Sequence, residues 1–288
     1  MERRSSPTVR NRELGALLKS YREARGLTAV QVAGDVGLSA AAISRLETAS
    51  RSSPRTGVTQ VRALCGYYGL DAQTTERLVQ LAREGSKPGL WQRYDLESPT
   101  ATYLDLESAA VSIDDFETAV FPGLLQTTPY AEAVIGTLRL HLSEDKRAQA
   151  VESRLRRQQI LTAAENPLVF HAVVDEGVLH RIVGDRDVMR QQLRHVRDLA
   201  TGVPTVTFQV LPFSAGASQA LDGPFAVLSF AEKLLPTVIY TEGQLGQVFE
   251  DDPEVVARME HAFSELAGLA LDAEQSLRKI DEHIRALS

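Results

Sequence analysis

The sequence predicts an α+β protein in two parts: an all-α N-terminal domain of five short helices, then an α+β domain with a mainly antiparallel sheet. Three observations lead there. Between residues 11 and 85, apolar residues recur at spacings of three and four, punctuated by glycines and capping residues. Beyond Gly85-Ser86-Lys87-Pro88-Gly89, a linker by composition, β-branched and aromatic runs alternate with helical patterns. The charge divides at the same place: residues 1–94 hold 15 Lys/Arg against 8 Asp/Glu, the remainder 16 against 30. These give a basic arm at 1–10, a helical domain at 11–85, a linker at 86–94 and a second domain at 95–288.

Residues 1–10, with Arg3, Arg4 and Arg10, are polar, basic and without period, and read as a flexible arm. From Asn11 to Arg25, Leu14, Leu17, Leu18 and Tyr21 define one helical face, ended by Gly26. Thr28 as N-cap and Gln31 three residues on form a capping box, and the short helix they open stops at Gly37. Ser39 caps a third helix with Ala42, Ile43 and Leu46 inward. After the polar stretch Ser50–Pro54, a fourth turns Val58, Val61, Leu64 and Cys65 inward. Asp71 caps a fifth, carrying Leu78, Leu81 and Ala82.

In the second part, helical patterns at about 99–111, 129–139, 144–163 and 186–200 alternate with strand candidates. These are Leu168–Val174, Val203–Pro212, Phe225–Phe230, Val238–Thr241 and Gln247–Glu250. Two helices close the chain, one after Asp252-Pro253 and one after Leu271-Asp272. Successive late strands with short gaps favour antiparallel pairing.

At 288 residues, 43% hydrophobic and 24% charged, the chain has ordinary globular composition. No apolar run approaches the roughly 20 residues of a membrane span. The stretch Met1–Pro7 lacks the apolar core of a secretory signal, so a cytoplasmic protein is expected. The single cysteine, Cys65, excludes an internal disulfide and a multi-cysteine zinc site. Its inward helical face makes it a small core residue.

The stretch Leu27–Glu47 carries the functional signal: two short helices joined by a tight Gly-containing turn. The second helix opens with small residues, Ala40 and Ala41, and then offers Ser44 and Arg45 on its exposed face. Such a helix fits the DNA major groove, about 12 Å wide, where an arginine pairs bidentately with guanine or binds phosphate. The candidate DNA contacts are Thr28, Ser39, Ala40, Ala41, Ser44 and Arg45, with Arg51 and Arg55 as neighbouring cations. A protein-binding helical domain is the alternative; the local charge of +7 argues against it.

Thr28, Ala33, Gly37, Ser39, Ile43, Ser44, Leu46 and Glu47, over residues 11–84, resemble the phage-repressor and xenobiotic-response-element-type family of helix-turn-helix regulators. Positions 29, 40 and 41, often polar DNA contacts in that family, are all alanine here, which moves the expected contacts onto Ser44, Arg45 and neighbouring basic residues. The resemblance also implies that Glu47, misplaced on a phosphate-facing surface, turns inward to pair with Arg22.

Further on, Tyr103–Glu107, Phe121–Thr127, Arg154–Gln159, Val206–Phe213 and Asp222–Phe225 are similar to a family of actinobacterial regulators, the WhiJ type. Its members join such an N-terminal domain to one C-terminal domain of obscure function. The resemblance implies a regulator, and a small acidic partner protein as in antitoxin-like systems, but names no ligand. On the residues alone, Pro122-Gly123 reads as a turn and Thr128-Pro129 as a helix start. Arg154 and Arg157, three apart on one helical face, are candidates to clamp an anionic ligand or partner; pairing with the surplus carboxylates is the blander reading and the favoured one. Trp91 and Tyr94 are expected to pack the domain junction.

No enzyme and no cofactor are expected. The histidines 141, 171, 180, 195, 261 and 283 show no metal-ligand spacing. Asp175-Glu176 is an acidic pair without a partner visible in the sequence, and Val183-Gly184-Asp185 is a turn rather than a phosphate loop. The reading is therefore a dimeric, sequence-specific DNA-binding transcriptional regulator whose C-terminal domain senses a ligand or a partner protein. The rival is an antitoxin-like interaction protein that holds a small partner and autoregulates through its helix-turn-helix.

Overall fold

The computed structural model describes residues 6–48, 57–87, 98–140, 142–231 and 235–287. The chain divides into two compact units, one drawn from residues 1–92 and 231–235 and the other from 93–230 and 236–288. The first holds α1 (Pro7–Glu23), α2 (Ala29–Val36), α3 (Ala40–Thr48), α4 (Val58–Tyr67) and α5 (Ala72–Gly85). Each starts or stops where its local chemistry dictates. The Thr28–Gln31 capping box opens α2, Gly37 at φ 68° ends it, and Asp71 caps α5 by accepting from the Thr74 N–H. Leu14, Leu18, Val32, Ile43, Val61, Leu64, Cys65, Leu78 and Val79 form the buried core.

The helix α1 begins earlier than the periodicity predicts, which corrects the arm at 1–10. Ser6 accepts from the Val9 N–H, and Pro7 takes the first helical position, where its missing N–H is not needed. Arg10 is therefore on a helix, paired with Glu13 at 2.9 Å and Glu84 at 3.0 Å. Arg3, Arg4, Arg51, Arg55, Trp91, Tyr94 and His141 lie outside the described residues.

The second unit contains α6 (Ser98–Ala109), β1 (Ser112–Glu117), α7 (Thr128–Leu138), α8 (Glu144–Arg157), β2 (Val169–Asp175), α9 (Gly177–His180) and α10 (Arg186–Gly202). It continues with β3 (Val206–Leu211), β4 (Phe225–Ser229), β5 (Val238–Gly243), β6 (Gly246–Glu250), α11 (Pro253–Leu269) and α12 (Ala273–Ala286). One six-stranded sheet runs in the order β3-β2-β1-β4-β5-β6. Three of its five ladders are antiparallel; β1–β2 and β2–β3 are parallel. Parallel neighbours need long crossovers, which α7 with α8, and then α10, supply.

Strand β1 is absent from the sequence expectations, because Ser112-Ile113-Asp114-Asp115-Phe116-Glu117 carries three acids in six residues. It nevertheless sits at the centre of the sheet, between β2 and β4. Phe116 faces a core shared with Val173, Phe225, Val227, Ile239 and, from α11, Phe263 and Leu266. Alternation therefore turns Asp115 and Glu117 to the opposite face. At the β3 edge, the Val210 N–H donates to Ser276 Oγ and the Val210 carbonyl accepts from the Leu271 N–H, so α12 and its approach cap that edge.

Gly15 marks a close crossing of α1 and α3. A Cβ there would lie 2.6 Å from the carbonyl oxygens of both Leu46 and Glu47. Glycine inside a helix costs about 1 kcal/mol relative to alanine, so the crossing is what it provides. Gly15→Ala should push α1 off α3 and lower stability by about 1–3 kcal/mol despite the better helix former. Calorimetry checks this; a melting temperature that stays put or rises would mean that the crossing has slack.

Candidate nucleic-acid interface and ligand cavity

The turn between α2 and α3 places Ser39, Ala41 and Ser44 on the exposed surface, with Ala40 and Arg45 half-buried beside them. Ile43 and Leu46 face the core. Two candidate hydroxyls also serve the backbone. Thr28 Oγ1 accepts from the Gln31 N–H, and Ser39 Oγ accepts from the Ala42 N–H at 3.1 Å. Arg45 has no hydrogen bond or ion pair among the described residues, whereas Arg62 and Arg83 are both tied to Glu76. A cation left unpaired on the exposed side of α3 is available to a phosphate or a base edge.

Glu47 turns away from that surface. Its carboxylate accepts from Arg22 Nε at 2.6 Å and from Nη2 at 2.8 Å, a two-pronged pair whose side chains are 6% and 12% exposed. The third prong, Arg22 Nη1, donates to the Leu27 carbonyl at 2.7 Å. One guanidinium thus joins α1, the α1–α2 turn and α3. The Glu47 hydrogen bonds hold the Arg22 pKa above its ordinary value. Nearby Tyr68 is pushed up to about 12, first by burial and then by the Glu47 charge.

In the second unit, a cavity of about 200 Å³ opens on the sheet face to which Asp115 and Glu117 point. The register explains the space. Asp115 lies between Ala172 on β2 and Ala226 on β4, and Ala226 is followed by Tyr240 on β5. Two small neighbours leave room over the middle of the sheet. The helix α8 brings Arg154 and Arg157 to the same cavity, and the Phe121–Gln126 loop supplies Phe121, Gly123 and Gln126. The two arginines predicted to share a helical face therefore do share a site.

Their partners differ. Arg157 pairs with Glu107 at 3.3 Å and lies over the Tyr103 ring, 5.6 Å from its centroid. This is the carboxylate pairing favoured for both from sequence. Arg154 instead donates to Gln126 Oε1 at 2.7 Å and has no carboxylate within 4 Å among the described residues. Gln126 is held in turn: its Nε2 donates to the Phe121 carbonyl, and its own carbonyl accepts from Gln158. A Cβ at Gly123 would meet the Arg157 guanidinium, so a larger residue there would have to displace that side chain. What reads in the sequence as plain chain geometry at 121–127 is thus a mould around two cations.

Charge in this site is poorly solvated. Burial and the like charge of Arg157 bring Arg154 down to about 10. Asp115 is pushed up to about 7, first by burial and then by Glu107. Burial, with Asp115 next to it, lifts Glu117 well above the carboxylate range. Sequence reasoning missed Asp115, Glu117, Tyr103, Tyr240 and Gln126 as site residues. The one available signal was an acidic run where a buried strand belongs.

Other candidates resolve into structural contacts. Glu176 bonds Lys279 Nζ at 2.7 Å and accepts from the Phe213 N–H, and Asp175 accepts from the Gly177 N–H. That acidic pair therefore has partners the sequence did not reveal. His171 meets Gln209 at 2.6 Å, and Asp185 caps α10. No group of three or more His, Cys, Asp or Glu arranged to hold a metal occurs among the described residues.

Two variants probe these arrangements. Removing Glu47 strands the largely buried Arg22, so Glu47→Ala should cost about 3–5 kcal/mol in chemical denaturation, and Arg22→Met with Glu47→Leu should recover much of it. A fully stable Glu47→Ala that fails to bind DNA would make Glu47 an operator contact instead. Asp115 ionises near 3.8 when free and near 7 here, so it weakens the fold progressively as pH rises between those values. Glu107 and Glu117, also raised, act in the same direction. Asp115→Asn should raise the melting temperature at pH 8 by about 2–6 °C and change it little at pH 4. Equal shifts at both pH values would show an ordinary carboxylate.

Comparison with known proteins agrees with this division. A family model described as "Helix-turn-helix domain" matches residues 13–78, and one described as "Domain of unknown function (DUF5753)" matches residues 100–282. No curated protein and no solved structure matches the chain. No helix among the described residues is long and apolar enough to cross a membrane. The second match spans more than half of the sequence, so the chain belongs to the DUF5753 family and carries a helix-turn-helix domain ahead of that domain.

Proposed function

We propose that this chain is a sequence-specific transcriptional regulator of the WhiJ type. On this reading it works in the cytoplasm as a dimer on a pseudo-palindromic operator. Its C-terminal domain senses a small molecule and catalyses nothing. The observation that carries the DNA-binding part is the unpaired Arg45, presented beside Ser44 on the outer side of a capped α3. One helix-turn-helix makes few base contacts, and two of them on half-sites about one helical turn apart add their energies. The observation that supports sensing over partner binding is the cavity over the sheet, with Arg154 turned to it and no carboxylate within 4 Å of that arginine among the described residues. An antitoxin-like role, with a small acidic protein as the partner, is the outcome that competes with it.

Selection of DNA fragments by the full chain, followed by footprinting, tests the reading. The expected result is a two-fold symmetric protected site. Arg45→Ala should cost about 1–3 kcal/mol there and relax base preference if the contact is to guanine. If the contact is to phosphate, affinity falls evenly across sequences and the salt slope shrinks by about one. Unchanged binding across a salt titration would remove Arg45 from the interface. Protection of a single asymmetric half-site by a monomer would remove the dimer.

A further inference from the structure

The cavity's charges do not cancel among themselves in pairs. Arg139 and Glu242 satisfy each other at 2.7 Å on its rim, and Arg157 is engaged by Glu107 and the Tyr103 ring. Arg154 bonds Gln126 and remains without a carboxylate within 4 Å among the described residues. Asp115 and Glu117 remain without a cation within 4 Å and without a side-chain hydrogen bond among the described residues. Asp115 is 8% exposed and lines the cavity, so its carboxyl meets that space rather than bulk water.

We propose that the cavity takes a small zwitterion of the amino-acid type, with its carboxylate on Arg154, its ammonium on Asp115 and Glu117, and an apolar body against Phe121, Val134 and Ile135. This rests on the sensing role proposed above and names the ligand class. A purely anionic ligand would satisfy Arg154 but bring its charge beside two carboxyls. A purely cationic one would satisfy the carboxyls beside an uncompensated guanidinium. A molecule carrying both signs answers both sets of groups. Burial lowers Arg154 and raises Asp115 and Glu117, so all three carry their charge at a cost that a bound counter-charge would relieve. Size agrees as well, since about 200 Å³ lies below the roughly 300–1,000 Å³ of drug-sized sites. Phe121 and Ile135 are almost wholly buried, which gives the body of the ligand a dry wall.

The test is calorimetric titration and thermal shift on the full chain with the twenty free L-amino acids. Each hit is then compared with its two single-charge counterparts; for L-phenylalanine these are 3-phenylpropanoate and 2-phenylethylamine. At least one amino acid should bind, with both counterparts at least tenfold weaker. Arg154→Gln should abolish the preference for the amino acid over its amine. Glu117→Gln, a near-isosteric change, should abolish the preference over its acid. A single-charge counterpart that binds as well as the amino acid would overturn the proposal, as would no binding by any of the twenty. The full chain is also equilibrated with a metabolite extract, and small molecules released on denaturation are identified by mass spectrometry. A retained non-zwitterionic compound sinks this inference while leaving a sensor in place. No retained compound sinks the sensing role with it.

Discussion

Two guanidinium groups one turn apart on α8 are held where water is scarce, and much of the larger unit's polar architecture answers to that. An ionised group removed from water costs several kcal/mol unless other groups replace its hydration. Arg157 receives Glu107 and the Tyr103 ring; Arg154 receives the Gln126 amide. Each of these then imposes a demand of its own. Gln126 can offer its oxygen to Arg154 only because its nitrogen is occupied by the Phe121 carbonyl. The loop that carries it is fixed from the other side by Gln192, which donates to the Leu125 carbonyl and accepts from the Thr127 N–H. At Gly123 the Arg157 guanidinium occupies the space that a side chain would take. A turn, a glutamine and a helix cap thus share one electrostatic origin.

The smaller unit uses the same device once. Its hydrophobic core brings five helices together, but apolar contact is non-directional and does not by itself fix the pitch of α3 against α1. The three prongs of Arg22 do so, reaching Glu47 on α3 and the Leu27 carbonyl in the turn before α2. Gly15 lets α1 and α3 approach closely enough for that geometry. On the proposed reading, α3 presents Ser44 and Arg45 at a set angle to a groove, and the directional Arg22–Glu47 pair is what a hydrophobic pair of similar volume would not supply.

Much of this was legible in the sequence, and the exceptions have physical reasons. All five N-terminal helices follow from periodicity and caps, because apolar spacing and the Thr28–Gln31 box are local signals. The first helix starts earlier than its periodicity predicts because Ser6-Pro7, itself a cap and first-position pair, lies in a polar and basic stretch where Val9 is the one apolar residue that follows before Leu14. Five of six strands were visible as β-branched runs. The parallel pairing of β1, β2 and β3 was not, since strand order depends on contacts far apart in sequence. The pairing of Arg22 with Glu47 entered through resemblance rather than spacing: no local rule links residues 25 apart. Arg154 and Arg157 were marked by their three-residue spacing, but their separate partners, Gln126 and Glu107, lie on different elements.

The missing strand is the most informative failure. A central strand of a sheet covered on both faces is expected to be apolar on both faces, and β1 is not. Asp115 and Glu117 stand where the pattern calls for valine or isoleucine, and Ala172 and Ala226 beside Asp115 give up volume that a packed sheet would fill. Each departure weakens the fold: buried carboxyls resist ionisation, and small residues leave space. Apolar replacements at these positions would close the cavity and remove those penalties together, so packing alone gives no reason for the acids. Such local conflicts persist where binding requires them. The segment that a fold-directed reading of the sequence discards is thus the segment that lines the cavity, and on the proposed reading for one cause: the polarity that hides the strand is the polarity that a charged ligand needs.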